Sequence, residues 1–229
     1  QIIDKKNGEV TFDFANDHDK FIQMLINDAK VMLPPYITSK RKIKSSDNID
    51  YQTIFSKKDG SIAAPTAGLH FTDNLIDEIT KKGVRFERIT LNIGLGTFLP
   101  LRNDKVEDNS LQSEHCFISE STVKKLNEAK KKKNQRIISV GTTSLRSLET
   151  SFNGNEFVPV NSKTNKFIYP GIKINSIDAL ITNFHLPKSS LFILICALMG
   201  TKKMLEAYNY AIKNNYRFYS YGDACFLEK

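Results

Sequence analysis

Apolar positions change period several times along the chain, and each change marks an element. Glu9–Phe14 alternates Val10, Phe12 and Phe14 with polar residues, which is the period of a strand, one that stands alone and needs partners. From Asp17 to Met32, Phe21, Met24, Leu25 and Met32 recur at helical spacing, and Leu33–Pro34–Pro35 stops that helix. Thr38–Asp50 is polar, carries Lys40, Arg41, Lys42 and Lys44, and reads as an exposed, mobile loop. Ser61–Phe71 is low in charge and holds Pro65 and Gly68, so it reads as a structured loop. Thr72 then caps a helix that runs through Leu75, Ile76 and Ile79 to Gly83.

Val84–Ile93 is rich in β-branched and aromatic residues, reads as a strand, and ends in the glycine turn Gly94–Leu95–Gly96–Thr97. A helix starts near Ser119–Ser121 and runs through Val123, Leu126 and Ala129 into Lys130–Lys133. Arg136–Val140 is a short apolar strand, and Gly141–Thr142–Thr143–Ser144 opens the next helix, with Leu145 and Leu148 on its inner face. Ile177–Ile181 is a buried strand that opens into Thr182–Asn183–Phe184–His185–Leu186–Pro187. The apolar helix Ser190–Met199 follows, then one capped by Thr201, and Arg217–Phe226 closes as a strand. Strands alternate with helices from about residue 70 onward, which makes the class α/β.

Composition adds modest limits. The chain has 229 residues, 40% hydrophobic and 25% charged, ordinary globular usage that excludes a disordered tail, a collagen and a coiled-coil rod. The longest apolar run, Leu191–Met199, is far short of a membrane span, so no membrane association is expected. Cys116, Cys196 and Cys225 are odd in number and widely spaced, which fits free thiols in a reducing cytoplasm. Lys and Arg outnumber Asp and Glu by 33 to 25, a net charge of +8. That excess suits an anionic partner such as nucleic acid. It is carried by 26 Lys against 7 Arg, so a compositional bias of the genome explains it equally well.

Ligands in α/β proteins gather beyond the carboxyl ends of strands. Gly94–Thr97, Gly141–Arg146 and Thr182–Pro187 occupy such positions, and Pro65–His70 is a loop of similar character. Gly141 permits close backbone approach, and the N–H groups of Thr142, Thr143 and Ser144 suit an anion or simply cap the helix. Arg146, one turn in, is placed to pair with a phosphate or carboxylate. Gly94-x-Gly96 lacks the third glycine of a dinucleotide site. His18 reads as a surface residue, and His115–Cys116 has no metal-ligand spacing around it, so no metal is expected. His70 and His185 lie in low-charge loops, as packed side chains or as catalysts.

Four strings together carry a resemblance: Ala63–Thr72 (AAPTAGLHFT), Leu91–Phe98 (LNIGLGTF), Val140–Glu149 (VGTTSLRSLE) and Thr182–Leu186 (TNFHL). With Leu33–Ile37, Tyr51–Phe55 and Tyr219–Phe226, they resemble, in order along the chain, the S-adenosylmethionine:tRNA ribosyltransferase-isomerase family of queuosine biosynthesis. The resemblance implies transfer of the ribosyl part of S-adenosylmethionine to 7-aminomethyl-7-deazaguanine at the tRNA wobble position. The sugar isomerises to an epoxycyclopentanediol, adenine and methionine leave, and epoxyqueuosine-tRNA is the product. S-adenosylmethionine is a co-substrate and no other cofactor is implied.

The implied fold is a three-layer α/β/α large domain with a small β-barrel inserted into it. On that pattern residues 1–14 are the last strand of the barrel and 15–229 the large domain without its N-terminal part. Asn92 stands where the family has His in L-H-x-G-x-G-T-F, and Gln112 where it has His before Ser113–Glu114. These departures leave three readings: the active enzyme, an inactive remnant retaining tRNA binding, and one part of a split enzyme completed by a separate N-terminal fragment. Carried onto this chain, His70 and His185 are acid/base candidates. Thr66, Gly94, Gly96 and Thr97 shape the S-adenosylmethionine pocket. Gly141, Thr142, Thr143 and Arg146 hold its carboxylate or a tRNA phosphate, and Glu114 and Asn183 bond ribose hydroxyls or the incoming amine. Lys40–Lys44 or Lys124–Lys133 faces the tRNA.

Overall fold

A computed structural model describes residues 2–6, 9–13, 18–28, 32–57, 61–94, 101 and 103–229. The chain divides into two units, Gln1–Met32 and Leu33–Lys229.

In the first unit the strand expected at residues 9–14 is not alone. β1 (Ile2–Lys6) pairs antiparallel with β2 (Glu9–Phe12), Lys5 opposite Val10. The first strand escapes period counting because Asp4, Lys5 and Lys6 break its alternation, although Asn-Gly between two short runs is a hairpin signal. Phe14 lies outside the described residues. α1 (His18–Asp28) follows.

The second unit opens with α2 (Pro35–Thr38), where Pro35 takes the first helical turn that tolerates a missing N–H. A second short helix, α3 (Asp47–Asp50), stands where an exposed loop is expected. Thr38–Asp50 is exposed as expected except at Asp47, which is buried, and at Arg41, which turns in to meet it with N–O distances of 2.6 and 2.7 Å. The Lys44 backbone N–H donates to the same carboxylate at 2.7 Å, and Arg41 holds its pKa far below the usual carboxylate range. Thr66–His70 forms a 3-10 turn, and α4 (Asp73–Lys81) follows, its Leu75 N–H capped by the Thr72 hydroxyl.

The strand expected over Val84–Ile93 shrinks to β3 (Thr90–Leu91): Val84 and Arg85 face solvent, and no strand among the described residues pairs with them. β3 pairs antiparallel with β4 (Glu114–Ile118), which pairs antiparallel with β6 (Val160–Thr164). Between them in sequence lie α5 (Glu120–Lys130), capped by Ser119, then β5 (Ile138–Val140) and α6 (Thr142–Ser151). The second sheet has β7 (Ala179–Asn183) at its centre, parallel to β5 and antiparallel to β8 (Ala224–Glu228). α7 (Ser190–Met199) and α8 (Thr201–Lys213) lie between β7 and β8 in sequence. Gly200, at φ +89°, occupies the cap position expected of Thr201, which is already helical.

The core joins Leu145 and Leu148 of α6, Leu180 of β7, Ile195 of α7 and Met204 and Tyr208 of α8. Each fully buried aliphatic side chain contributes about 1.5–3 kcal/mol over its exposed state. α6 touches strands of both sheets. It starts directly from β5 because Gly141 adopts φ +88°, a left-handed conformation that a side chain would strain.

Candidate functional site

Three groups of side chains collect around β7 and α6. The first lies at the carboxyl end of β7. The Thr66 hydroxyl donates to Asn183 Oδ1 at 3.0 Å, and Asn183 Nδ2 lies 3.0 Å from His70 Nε2. An amide nitrogen only donates, so His70 Nε2 accepts and the proton of the neutral ring sits on Nδ1. Burial pulls the His70 pKa below its ordinary value, Asp223 opposes the shift and Arg217 adds to it. Gly141 is packed against this turn: a Cβ on it would lie 3.7 Å from the Ala67 Cβ. Thr142 is buried behind it and Thr143 is half-buried.

The second group is a buried ion pair. Arg146 Nη1 donates to Glu114 Oε2 at 2.7 Å, with the two side chains 5% and 3% exposed. Arg146 Nε donates to the Lys166 carbonyl at 3.0 Å, and the Gly94 N–H donates to Glu114 Oε1 at 3.0 Å. The partner of Arg146 within the chain is therefore a carboxylate from β4, and Nη2 has no hydrogen-bond partner among the described residues. A recess beside the pair is walled by Leu111, Phe167, Leu191 and Leu194, with Gln112 and Ser190 at its polar side. Sequence reasoning missed Phe167 and Ser190. The only signal for the latter was its place at the start of an apolar helix.

The third group surrounds His185. Its Nε2 lies 2.8 Å from the Thr182 hydroxyl, and its backbone N–H donates to Tyr208 Oη at 2.8 Å. Burial lowers its pKa to about 4, so the ring is neutral at pH 7. Gly96 and Thr97 lie outside the described residues. His115 is exposed on β4, and no group of three or more His, Cys, Asp or Glu among the described residues is arranged to hold a metal. No helix among them is long and apolar enough to cross a membrane.

The strings meet in part: Thr66, His70 and Asn183 are joined by hydrogen bonds, Gly141 packs beside Ala67, and Gly94 and Arg146 share Glu114, while the His185 ring is held separately by Thr182. A family model described as "Queuosine biosynthesis protein" matches residues 1–227. The chain belongs to this family. Within the queuosine biosynthesis proteins, it is 47% identical over 223 residues to the S-adenosylmethionine:tRNA ribosyltransferase-isomerase of Zymomonas mobilis, covering 96% of this chain and 64% of that one. The enzyme of the same name from Buchnera aphidicola of Acyrthosiphon pisum is 44% identical over 230 residues, 99% of this chain and 63% of its own. The chain thus spans somewhat less than two thirds of the length of these relatives. A crystal structure of S-adenosylmethionine tRNA ribosyltransferase from Thermotoga maritima superimposes with a TM-score of 0.58 at 39% identity, covering 70% of this chain and 50% of that one.

Proposed function

We propose that this chain carries the chemistry of an S-adenosylmethionine:tRNA ribosyltransferase-isomerase. The ribosyl part of S-adenosylmethionine passes to 7-aminomethyl-7-deazaguanine at the wobble position of tRNA and isomerises to the epoxycyclopentanediol. Adenine and methionine leave. The reading rests on family membership together with one observation: Thr66, Asn183 and His70, far apart in sequence, form a hydrogen-bonded row at the end of the central strand. The proposed architecture is the three-layer α/β/α domain over 15–229, with residues 1–14 as part of the inserted barrel, and the site of action is the cytoplasm.

The sulfonium acidifies the carbon beside it, and a base must take that proton. A neutral His70 suits this role, with Asn183 releasing Nε2 or with Nδ1–H serving as a donor to the departing adenine. His185, held between Thr182 and Tyr208, positions the loop and is the weaker proton acceptor. Glu114 and Arg146, already paired, act on substrate through the atoms that face the recess. Incubation of the purified chain with S-adenosylmethionine and precursor-bearing tRNA tests the reading. Adenine release above background, lost in His70→Ala, supports it. No release, with the relatives active under the same conditions, overturns it in favour of a non-catalytic chain.

A further inference from the structure

We propose that the segment carrying Lys40, Lys42 and Lys44 is the RNA-docking rim of the His70 site. The inference rests on the function proposed above and adds the surface on which the polynucleotide lies. Two lysine clusters compete for that role, and their surroundings differ.

The segment is fastened to the His70 site at both ends. Toward its start, Tyr36 Oη donates to Ser220 Oγ and accepts from the Ser220 N–H at 2.9 Å, and the Tyr36 and Tyr219 rings lie 4.8 Å apart. In its middle, the Asp47 carboxylate holds Arg41 and is approached by Tyr221 Oη at 3.4 Å. At its end, Phe55 packs on Phe71 with ring centroids 5.9 Å apart, and a Cβ at Gly68 would lie 3.1 Å from Phe55 and Thr53. Gly68 and Phe71 flank His70 in the chain. The loop 217–223 that the segment grips also carries Arg217 and Asp223, whose charges act on His70. With Arg41 turned inward, Lys40, Lys42 and Lys44 remain exposed on a backbone fixed beside the site.

Lys124 and Lys131–Lys133 of the α5 cluster are exposed too, but no hydrogen bond or ring contact among the described residues ties α5 to the Thr66–His70 turn or to loop 217–223, and the other two lysines are engaged elsewhere. Lys125 pairs with Glu87 at 3.0 Å, and Lys130 donates to the Asn175 carbonyl and sits 5.0 Å from the centre of the Phe152 ring. The rim also presents Tyr221, 40% exposed, to a splayed base, and lysines with interleaved aromatic rings are what a single-stranded loop binds.

Fluorescence anisotropy with an anticodon stem-loop RNA, without S-adenosylmethionine, between 50 and 200 mM KCl, tests the rim. Three lysines on a single-stranded loop contribute about 2 to the salt slope. Lys40→Glu/Lys42→Glu/Lys44→Glu is expected to weaken binding more than tenfold at 100 mM and to flatten the slope by about 2. Lys131→Glu/Lys132→Glu/Lys133→Glu is expected to cost less than threefold. An equal or larger loss from the α5 variant, an unchanged rim variant, or no binding by the parent at 50 mM overturns the proposal. A chain that binds RNA through this rim but releases no adenine keeps the rim and refutes catalysis. Adenine release that the rim variant leaves untouched does the reverse.

Discussion

Glu114→Gln strips the charge from one side of the buried pair while keeping the shape. The Arg146 guanidinium, 5% exposed, is left with the Lys166 carbonyl and a neutral amide that must also serve the Gly94 N–H. Removing one partner of a buried pair costs about 3–5 kcal/mol, chiefly because the other charge stays buried without compensation. Gln retains one acceptor oxygen, which places the expected loss near the lower end, about 3 kcal/mol. For a unit the size of Leu33–Lys229, each kcal/mol lowers Tm by about 2–4 °C, so the shift is about 6–12 °C. Thermal melts followed by circular dichroism at pH 7.5 read it directly. The double variant Glu114→Leu/Arg146→Met replaces the pair by apolar groups and is expected to recover most of the loss. A shift below about 2 °C for Glu114→Gln, or a double variant less stable than the single, refutes the account of a desolvated, mutually dependent pair.

Three other outcomes follow from single contacts. His185 has its folded pKa lowered to about 4 against about 6.5 unfolded, so the unfolded chain binds the extra proton and acid destabilises the fold. Between pH 7.5 and pH 5 this amounts to about 2 kcal/mol in urea unfolding, a drop that His185→Asn should lack; equal drops in both proteins contradict it. Burial lowers the His70 pKa, and Asn183→Ala both opens the site and removes the amide that donates to Nε2, so the pKa, followed by the ring proton in NMR, is expected to rise; an unchanged or lower value contradicts the assignment. Tyr36→Phe leaves the Ser220 N–H without its acceptor and should cost about 1–3 kcal/mol in denaturant unfolding, while Tyr210→Phe, on an exposed ring, should cost almost nothing.

The elements legible in the sequence are those whose signals are local. Thr72 and Ser119 cap the helices expected of them, and Gly141 turns β5 directly into α6. β4 hides because an inward position of its alternation is charged: Glu114, Cys116 and Ile118 point in, and the carboxylate masks the apolar period. β6 hides because only its two ends, Val160 and Thr164, are buried. The sequence pattern offers candidate residues but not their partners. Arg146 looked ready for a ligand anion, and its partner in the fold is Glu114, 32 positions away, which no spacing rule connects. The same holds for Arg41 and Asp47, a pair six residues apart that ties an otherwise exposed loop together.

The contact of α6 with both sheets has a consequence for how the second unit opens. A helix shared by two sheets cannot leave one without loosening the other. The amides of β4 and β7 are then protected by the same opening event, and hydrogen exchange should report one free energy for both. The strand end that bears Asn183 and the strand end that bears Glu114 are then expected to open together, and exchange that is fast at one and slow at the other contradicts the shared opening.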